Sequence, residues 1–291
     1  MLKITNLFKT YKRAKKPALR GLSLDVKDGE VFGLVGKNGA GKSTTIKCIT
    51  GILPFEKGQI LINSLDIVTQ ECDAKNLIGY VPDNHTVYEN LTGREYVNFM
   101  ADIYGVSEKD RVARLNKYAE MFNLTDSIDM QINGYSHGMH QKICIIGALI
   151  HEPKLWILDE PFLGLDIVSI EHVKKCIQDY SKNKNHMVIF SSHNLEMVAE
   201  ICDKVCVIEN GVVKEVLDLH KKNNIEKPRI ALHPWLFYTA LINKQHLRNL
   251  LSLIPLITIN ICLRTFLRTF WYPYFLQMKK SLENQGFFRV N

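Results

Sequence analysis

Nine consecutive residues constrain this chain more than any others: Gly36-Lys37-Asn38-Gly39-Ala40-Gly41-Lys42-Ser43-Thr44. The apolar run Val31-Phe32-Gly33-Leu34-Val35 precedes them and reads as a short buried strand, while Thr45 to Ile49 can continue as a helix. Strand, glycine loop and helix in that order form a phosphate cradle. A phosphate chain needs backbone N–H groups close at hand without an intervening Cβ, and the helix N-terminus behind them attracts negative charge. On this reading Lys42 reaches the β- and γ-phosphates of a nucleotide and Ser43 places its hydroxyl on Mg²⁺.

The stretches around the loop read as a divided α/β core. Leu2-Lys3-Ile4-Thr5-Asn6-Leu7 alternates as an edge strand would, and Leu22 to Val26 alternates again before the turn Lys27-Asp28-Gly29-Glu30, suggesting antiparallel strands ahead of the loop. Further strands are expected at Gly58 to Asn63 and at Asn76 to Val81, the latter ended by Pro82. From Thr92-Gly93-Arg94-Glu95 the period becomes helical, with Tyr96, Phe99, Met100 and Ile103 at helical spacing, and the segment to about Leu124 reads as wholly helical. Beyond this insert, Lys154 to Leu158 reads as a buried strand ending in Asp159-Glu160-Pro161, and Met187 to Phe190 as another ending in Ser191-Ser192-His193. Carboxyl ends of parallel strands are where such sheets place ligand chemistry. Two carboxylates there suggest Asp159 in the Mg²⁺ shell and Glu160 polarising an attacking water.

Over roughly residues 1–218 these motifs resemble the nucleotide-binding subunit of ATP-binding cassette (ABC) transporters of the bacterial exporter and antibiotic-resistance type. Gly36 to Thr44 is similar to Walker A, Leu155 to Asp159 to Walker B with Glu160 as the catalytic glutamate, Asp166 in Leu163-Gly164-Leu165-Asp166 to the D-loop aspartate, and His193 to the switch histidine. Tyr135-Ser136-His137-Gly138-Met139-His140-Gln141-Lys142 resembles the signature Leu-Ser-Gly-Gly-Gln, matching strictly at Ser136 and Gly138. The resemblance implies that Tyr11 stacks on the adenine, that Gly36, Lys37, Asn38, Gly39, Ala40, Gly41, Lys42, Ser43 and Thr44 cradle ATP, and that Ser136 and Gly138 of a second copy bind its γ-phosphate. Glu160, His193 and Lys42 then carry catalysis. Ser43, Asp83 and Asp159 hold Mg²⁺, Asp83 standing where the family has a glutamine. His137 and Met139 replace a glycine and a glutamine of the signature. The implied fold is α/β, a P-loop ATPase core with an antiparallel β subdomain and a helical subdomain at about 84–150. The implied partners are membrane permease subunits and a head-to-tail second cassette, at the cytoplasmic face of the membrane.

Composition agrees with a globular core: 46% of the 291 residues are apolar. Seven cysteines without a C-x-x-C pair argue for reduced thiols, and Met1 to Lys9 lacks the apolar core of a signal peptide. The net charge of +7 is unevenly distributed. Residues 221–291 hold 11 Lys and Arg against two Glu, a net of 11 − 2 = +9, leaving 7 − 9 = −2 for the rest. After a linker at 219–229, residues 230–291 read as an aromatic, basic and helical tail in which Leu263-Arg264-Thr265-Phe266 is repeated at once as Leu267-Arg268-Thr269-Phe270. Its uncharged run of 15 residues, Asn249 to Leu263, is shorter than the roughly 17–25 needed to span a bilayer, which favours a helix lying on the membrane or against a permease. A soluble accessory segment stays open. A second class of function, a soluble cassette ATPase acting on nucleic acid or the ribosome with the tail as contact, is disfavoured: some 90 residues separate Thr44 from Tyr135, too few for the long coiled coil of the family's DNA-repair members, and one cassette is present where its translation members have two.

Overall fold

The computed structural model describes residues 1–219 except 85, 86 and 184, so the tail expected at 230–291 and the linker beyond its first residue lie outside the described residues. Two sheets organise the described chain. The first is antiparallel, ordered β2-β1-β4-β5, from β1 (Leu2–Lys9), β2 (Leu19–Val26), β4 (Lys57–Ile62) and β5 (Leu65–Asp66). The strand read as an edge, β1, is central. It pairs with β2 through Leu2 and Val26 and with β4 through Leu2 and Ile62. Alternation reports one buried and one open face, and an interior strand of a one-sided sheet satisfies that as well as an edge does.

The second sheet, ordered β10-β9-β3-β8-β7-β6, contains β3 (Val31–Val35), β6 (Ile78–Val81), β7 (Leu155–Leu158), β8 (Met187–Ser192), β9 (Lys204–Glu209) and β10 (Val212–Asp218). Five neighbours run parallel and β10 closes the sheet antiparallel. β3, β7 and β8 are buried at every residue, which explains the apolar runs of β3, of β7 and of Met187 to Phe190 in β8: a parallel strand covered on both faces has no polar side to show, and β8 turns polar only at Ser191 and Ser192, where it reaches the site. The register sets Val81 beside Leu158, Leu158 beside Phe190 and Leu34 beside Ser191, so the loops after β6, β7, β8 and β3 leave from one edge.

Helix α1 (Lys42–Ile49) starts directly from the glycine loop. α2 (Glu71–Asn76) takes the residues expected to begin the next strand, so β6 starts at Ile78. The segment expected to be helical throughout to Leu124 is two helices, α3 (Gly93–Ile103) and α4 (Glu108–Met121). Gly105 at φ +63° turns the chain between them, and Ser107 caps α4 by accepting from the Asp110 N–H. The Thr92 and Glu95 pair forms a complete capping box on α3. Of the residues at helical spacing, Tyr96 is buried whereas Phe99 and Ile103 are exposed. α5 (His137–Leu149) packs against α3 and β6, α6 (Ile167–Ser181) follows β7, and α7 (Leu195–Ile201) follows β8.

Candidate nucleotide site

The glycine loop is shaped by its surroundings before any ligand is considered. Gly41 adopts φ +114°, and a Cβ there would lie 3.1 Å from the Ala18 carbonyl and 3.0 Å from the Leu19 side chain, so the chain entering β2 fills the space a side chain would need. Behind it the Lys42 ammonium is 6% exposed and donates to the Gly36 carbonyl at 2.9 Å. It also stands 3.6 Å from Glu160 Oε1. An ammonium has three N–H donors, and one carbonyl and one carboxylate beside it leave a donor for a further oxygen.

At the ends of β7 and β8 a chain of hydrogen bonds gathers the carboxylates. The Ser43 hydroxyl, from the first turn of α1, donates to Asp159 Oδ1 at 3.1 Å. The Ser191 hydroxyl donates to the same oxygen at 2.6 Å and accepts the Glu160 N–H at 2.9 Å. Asp159 is fully buried; burial lifts its carboxyl above the usual range, the two serine hydroxyls oppose the rise, and the charges of Asp83 and Glu160 add to it. Its second oxygen, Oδ2, is buried and finds no hydrogen-bond partner among the described residues. A carboxyl group with one buried oxygen lacking a partner among the described residues, next to a serine hydroxyl, is a donor set suited to a hard cation such as Mg²⁺.

Glu160 sits at φ +50° and His193 Nδ1 lies 3.0 Å from its Oε2. The imidazole is 59% exposed and the carboxylate 17%, so the pair faces outward from the buried Asp159. The Tyr11 hydroxyl meets Thr44 Oγ1, at the end of the loop, at 3.2 Å, and its ring is partly open to solvent. An exposed aromatic face touching a phosphate loop is a stacking platform for a base. Asp83, just past β6, is exposed and near enough to Asp159 to influence its charge.

A second set of expected residues forms a separate feature. Ser136 caps α5 by accepting the Met139 N–H at 3.3 Å, and both Ser136 and His137 are exposed. The loop Leu163-Gly164-Leu165-Asp166 lies against this helix start: a Cβ on Gly138 would touch Leu165 at 3.5 Å, and one on Gly164 would fall 2.9 Å from His137 Nε2. Asp166 caps α6 by accepting from the Ser169 N–H and hydroxyl at 2.9 and 2.6 Å, contacts that hold its carboxyl below the usual range.

The ABC transporter family model matches residues 19–163. The linearmycin resistance ATP-binding protein LnrL of Bacillus subtilis (strain 168) is 36% identical over 211 residues, spanning 72% of this chain and 67% of that protein. The chain belongs to the ABC transporter ATP-binding family. A solved ATP-binding subunit of an ABC transporter superposes on this cassette with a TM-score of 0.72 at 32% identity, covering 76% of this chain and 91% of that one. The dimeric post-hydrolysis structure of the ATP-binding cassette MJ0796, bound to ADP and Pi, shares the fold at a TM-score of 0.69 and 23% identity, covering 75% and 99%. The cassette is therefore an ATPase of this family, with an α/β core.

Two side chains of the cassette escaped the sequence reading. Ser191 bridges Asp159 and Glu160, and Gln141, buried in α5, donates through Nε2 to the Pro161 carbonyl and so ties the helical subdomain to the loop after Glu160. Nothing local distinguishes either residue. The hairpin between β9 and β10 was missed as well, although Asn210-Gly211, with φ of +51° and +76°, is the usual two-residue hairpin signal.

Proposed function

We propose that this cassette powers export through a separate membrane permease, two copies clamping ATP between the glycine loop of one and the Ser136–Gly138 helix start of the other. The observation that carries this is the pairing, in one chain, of a hydrogen-bonded catalytic cluster around Asp159 and Glu160 with a second anion-ready helix terminus. That terminus is exposed and lies against the loop Leu163 to Asp166, whose Leu163 is exposed, as are Ile167 and Val168 that follow it in the chain. An apolar rim beside an open helix N-terminus suits a protein partner that brings a phosphate with it. A resistance function in LnrL supports export, and the dimeric form of MJ0796 supports pairing.

In this reading Tyr11 stacks on adenine, and Gly36 to Thr44 wrap the phosphates. Lys42 exchanges its carbonyl partner for β- and γ-phosphate oxygen. Ser43 and Asp159, with Asp83 nearby, would hold Mg²⁺, which when bound would supply charge neutralisation at the transferring phosphate. Glu160 accepts a proton from the attacking water, with His193 fixing its carboxylate through Nδ1. Asp166 keeps α6 and the preceding loop in register with the partner copy. Among the described residues no helix is long and apolar enough to cross a membrane. The reading places the cassette at the cytoplasmic face against the permease, with the basic tail as a further contact.

Replacing Glu160 by Gln tests this. ATP binding should persist and turnover should fall by about 10²-fold or more, the usual weight of a positioned general base. The ATP-bound pair should outlive the wild-type pair in sedimentation velocity. Unchanged turnover would remove Glu160 from its role, and failure to co-purify with any polytopic protein from detergent would remove the permease.

A further inference from the structure

We propose that Ser191 is a positioning residue for this reaction: its hydroxyl sets which oxygen of Asp159 is left for the metal and at the same time holds the backbone of Glu160. The inference rests on the reading that Ser43 and Asp159 hold Mg²⁺.

The geometry leaves the hydroxyl no freedom. Ser191 is fully buried near the end of β8, beside the carboxylates that directly follow the neighbouring strand β7. The Glu160 N–H can only donate, so Ser191 Oγ must accept from it at 2.9 Å. Its own proton is then directed to Asp159 Oδ1 at 2.6 Å. Ser43 donates to that same oxygen at 3.1 Å. Two donors therefore converge on Oδ1 while Oδ2 has none among the described residues. The carboxylate is held in one orientation, and the oxygen left over is the one that can serve a cation. Of the two serines, Ser43 belongs to the metal's own donor set, so Ser191 is the donor that remains to fix Asp159 once a cation engages Ser43.

The second hydrogen bond reaches the catalytic base. Glu160 is a non-glycine residue in the left-handed region, a conformation that persists only where its surroundings enforce it. Its N–H ends on Ser191 and its carboxylate on His193 Nδ1, so one hydroxyl on a neighbouring strand ties the metal ligand and the base into one unit. Partners that orient a metal ligand typically contribute about 10–100-fold to metal affinity or activity.

The test uses the full chain and three variants, Ser191→Ala, Ser191→Thr and Asp159→Asn. Mn²⁺ binding with a non-hydrolysable ATP analogue is followed by electron paramagnetic resonance, and nucleotide binding is measured separately with the divalent metal chelated. Ser191→Ala should weaken Mn²⁺ binding and lower kcat by about tenfold or more, while metal-free nucleotide affinity changes less than about threefold. Ser191→Thr, which keeps the hydroxyl, should recover Mn²⁺ binding. Wild-type Mn²⁺ affinity in Ser191→Ala overturns the inference while leaving the metal site standing. An equal loss of metal-free nucleotide affinity overturns it too, because that is the mark of a general packing defect. Mn²⁺ binding in Asp159→Asn equal to wild type would remove the metal-site reading itself, and this inference with it.

Discussion

Glu160 holds a left-handed backbone at φ +50°, which for a residue with a Cβ is disfavoured by about 1–2 kcal/mol. Three contacts keep it there: Ser191 on its N–H, His193 on one carboxylate oxygen and Lys42 near the other. A different residue shows what burial alone does. His151 stacks on Tyr104 with ring centroids 3.6 Å apart, and its Nε2 meets the Ile78 carbonyl at 3.1 Å. Burial pushes its imidazole down to about 4 from 6.5, against the pull of that carbonyl and helped by Arg114. Between those two values the unfolded chain binds the proton and the folded chain does not, so stability rises with pH across this window. His151 imposes no pH penalty above about 6.5, and up to about 2–3 kcal/mol is lost as pH falls towards 4. Thermal melts of His151→Gln between pH 4 and 7 should show a flatter dependence than wild type; an identical slope would assign the effect elsewhere. The charged groups of the site were legible because each sits inside a short motif. Ser191 and Gln141 were not, since their partners are 31 to 32 and 20 residues away and only the folded sheet brings them together.

At the level of elements, close approach decides where the helical subdomain meets the sheet. Gly79 in β6 lies so near α5 that a Cβ would fall 2.3 Å from the Ala148 carbonyl and 2.6 Å from Pro153. Backbone cannot yield there as a flexible side chain would. Gly79→Ala should destabilise the fold by about 1–3 kcal/mol in chemical denaturation, the range for overpacking a filled interior. A stability equal to wild type would mean that α5 slides on β6. Elements with their own punctuation were readable from the residues: the helix opening at Thr92-Gly93-Arg94-Glu95, and the apolar runs of β3, of β7 and of Met187 to Phe190 in β8. Position within a sheet was not readable. The alternation of β1 carries no information on whether one or two neighbours pair with it, and the break at Gly105 is a single glycine inside an otherwise helical pattern.

For the whole molecule the question is whether a second copy completes the site. The start of α5 has room for a small addition, because a Cβ on Gly138 makes only ordinary contact with Leu165 at 3.5 Å. Gly138→Asp would set a carboxylate where the partner's γ-phosphate is proposed to lie, and like charges meeting across an interface are strongly disfavoured. Combined with Glu160→Gln, it should weaken ATP-dependent pairing by about tenfold or more in sedimentation velocity while each chain still binds nucleotide. Pairing of undiminished strength would place the interface on another face. The bond from Lys42 to the Gly36 carbonyl has a kinetic corollary. With the loop already closed on an internal acceptor, an incoming triphosphate swaps one oxygen for another and finds little chain left to organise. Capture should then proceed at a rate set by encounter, and selectivity between ligands should reside in how long each one stays.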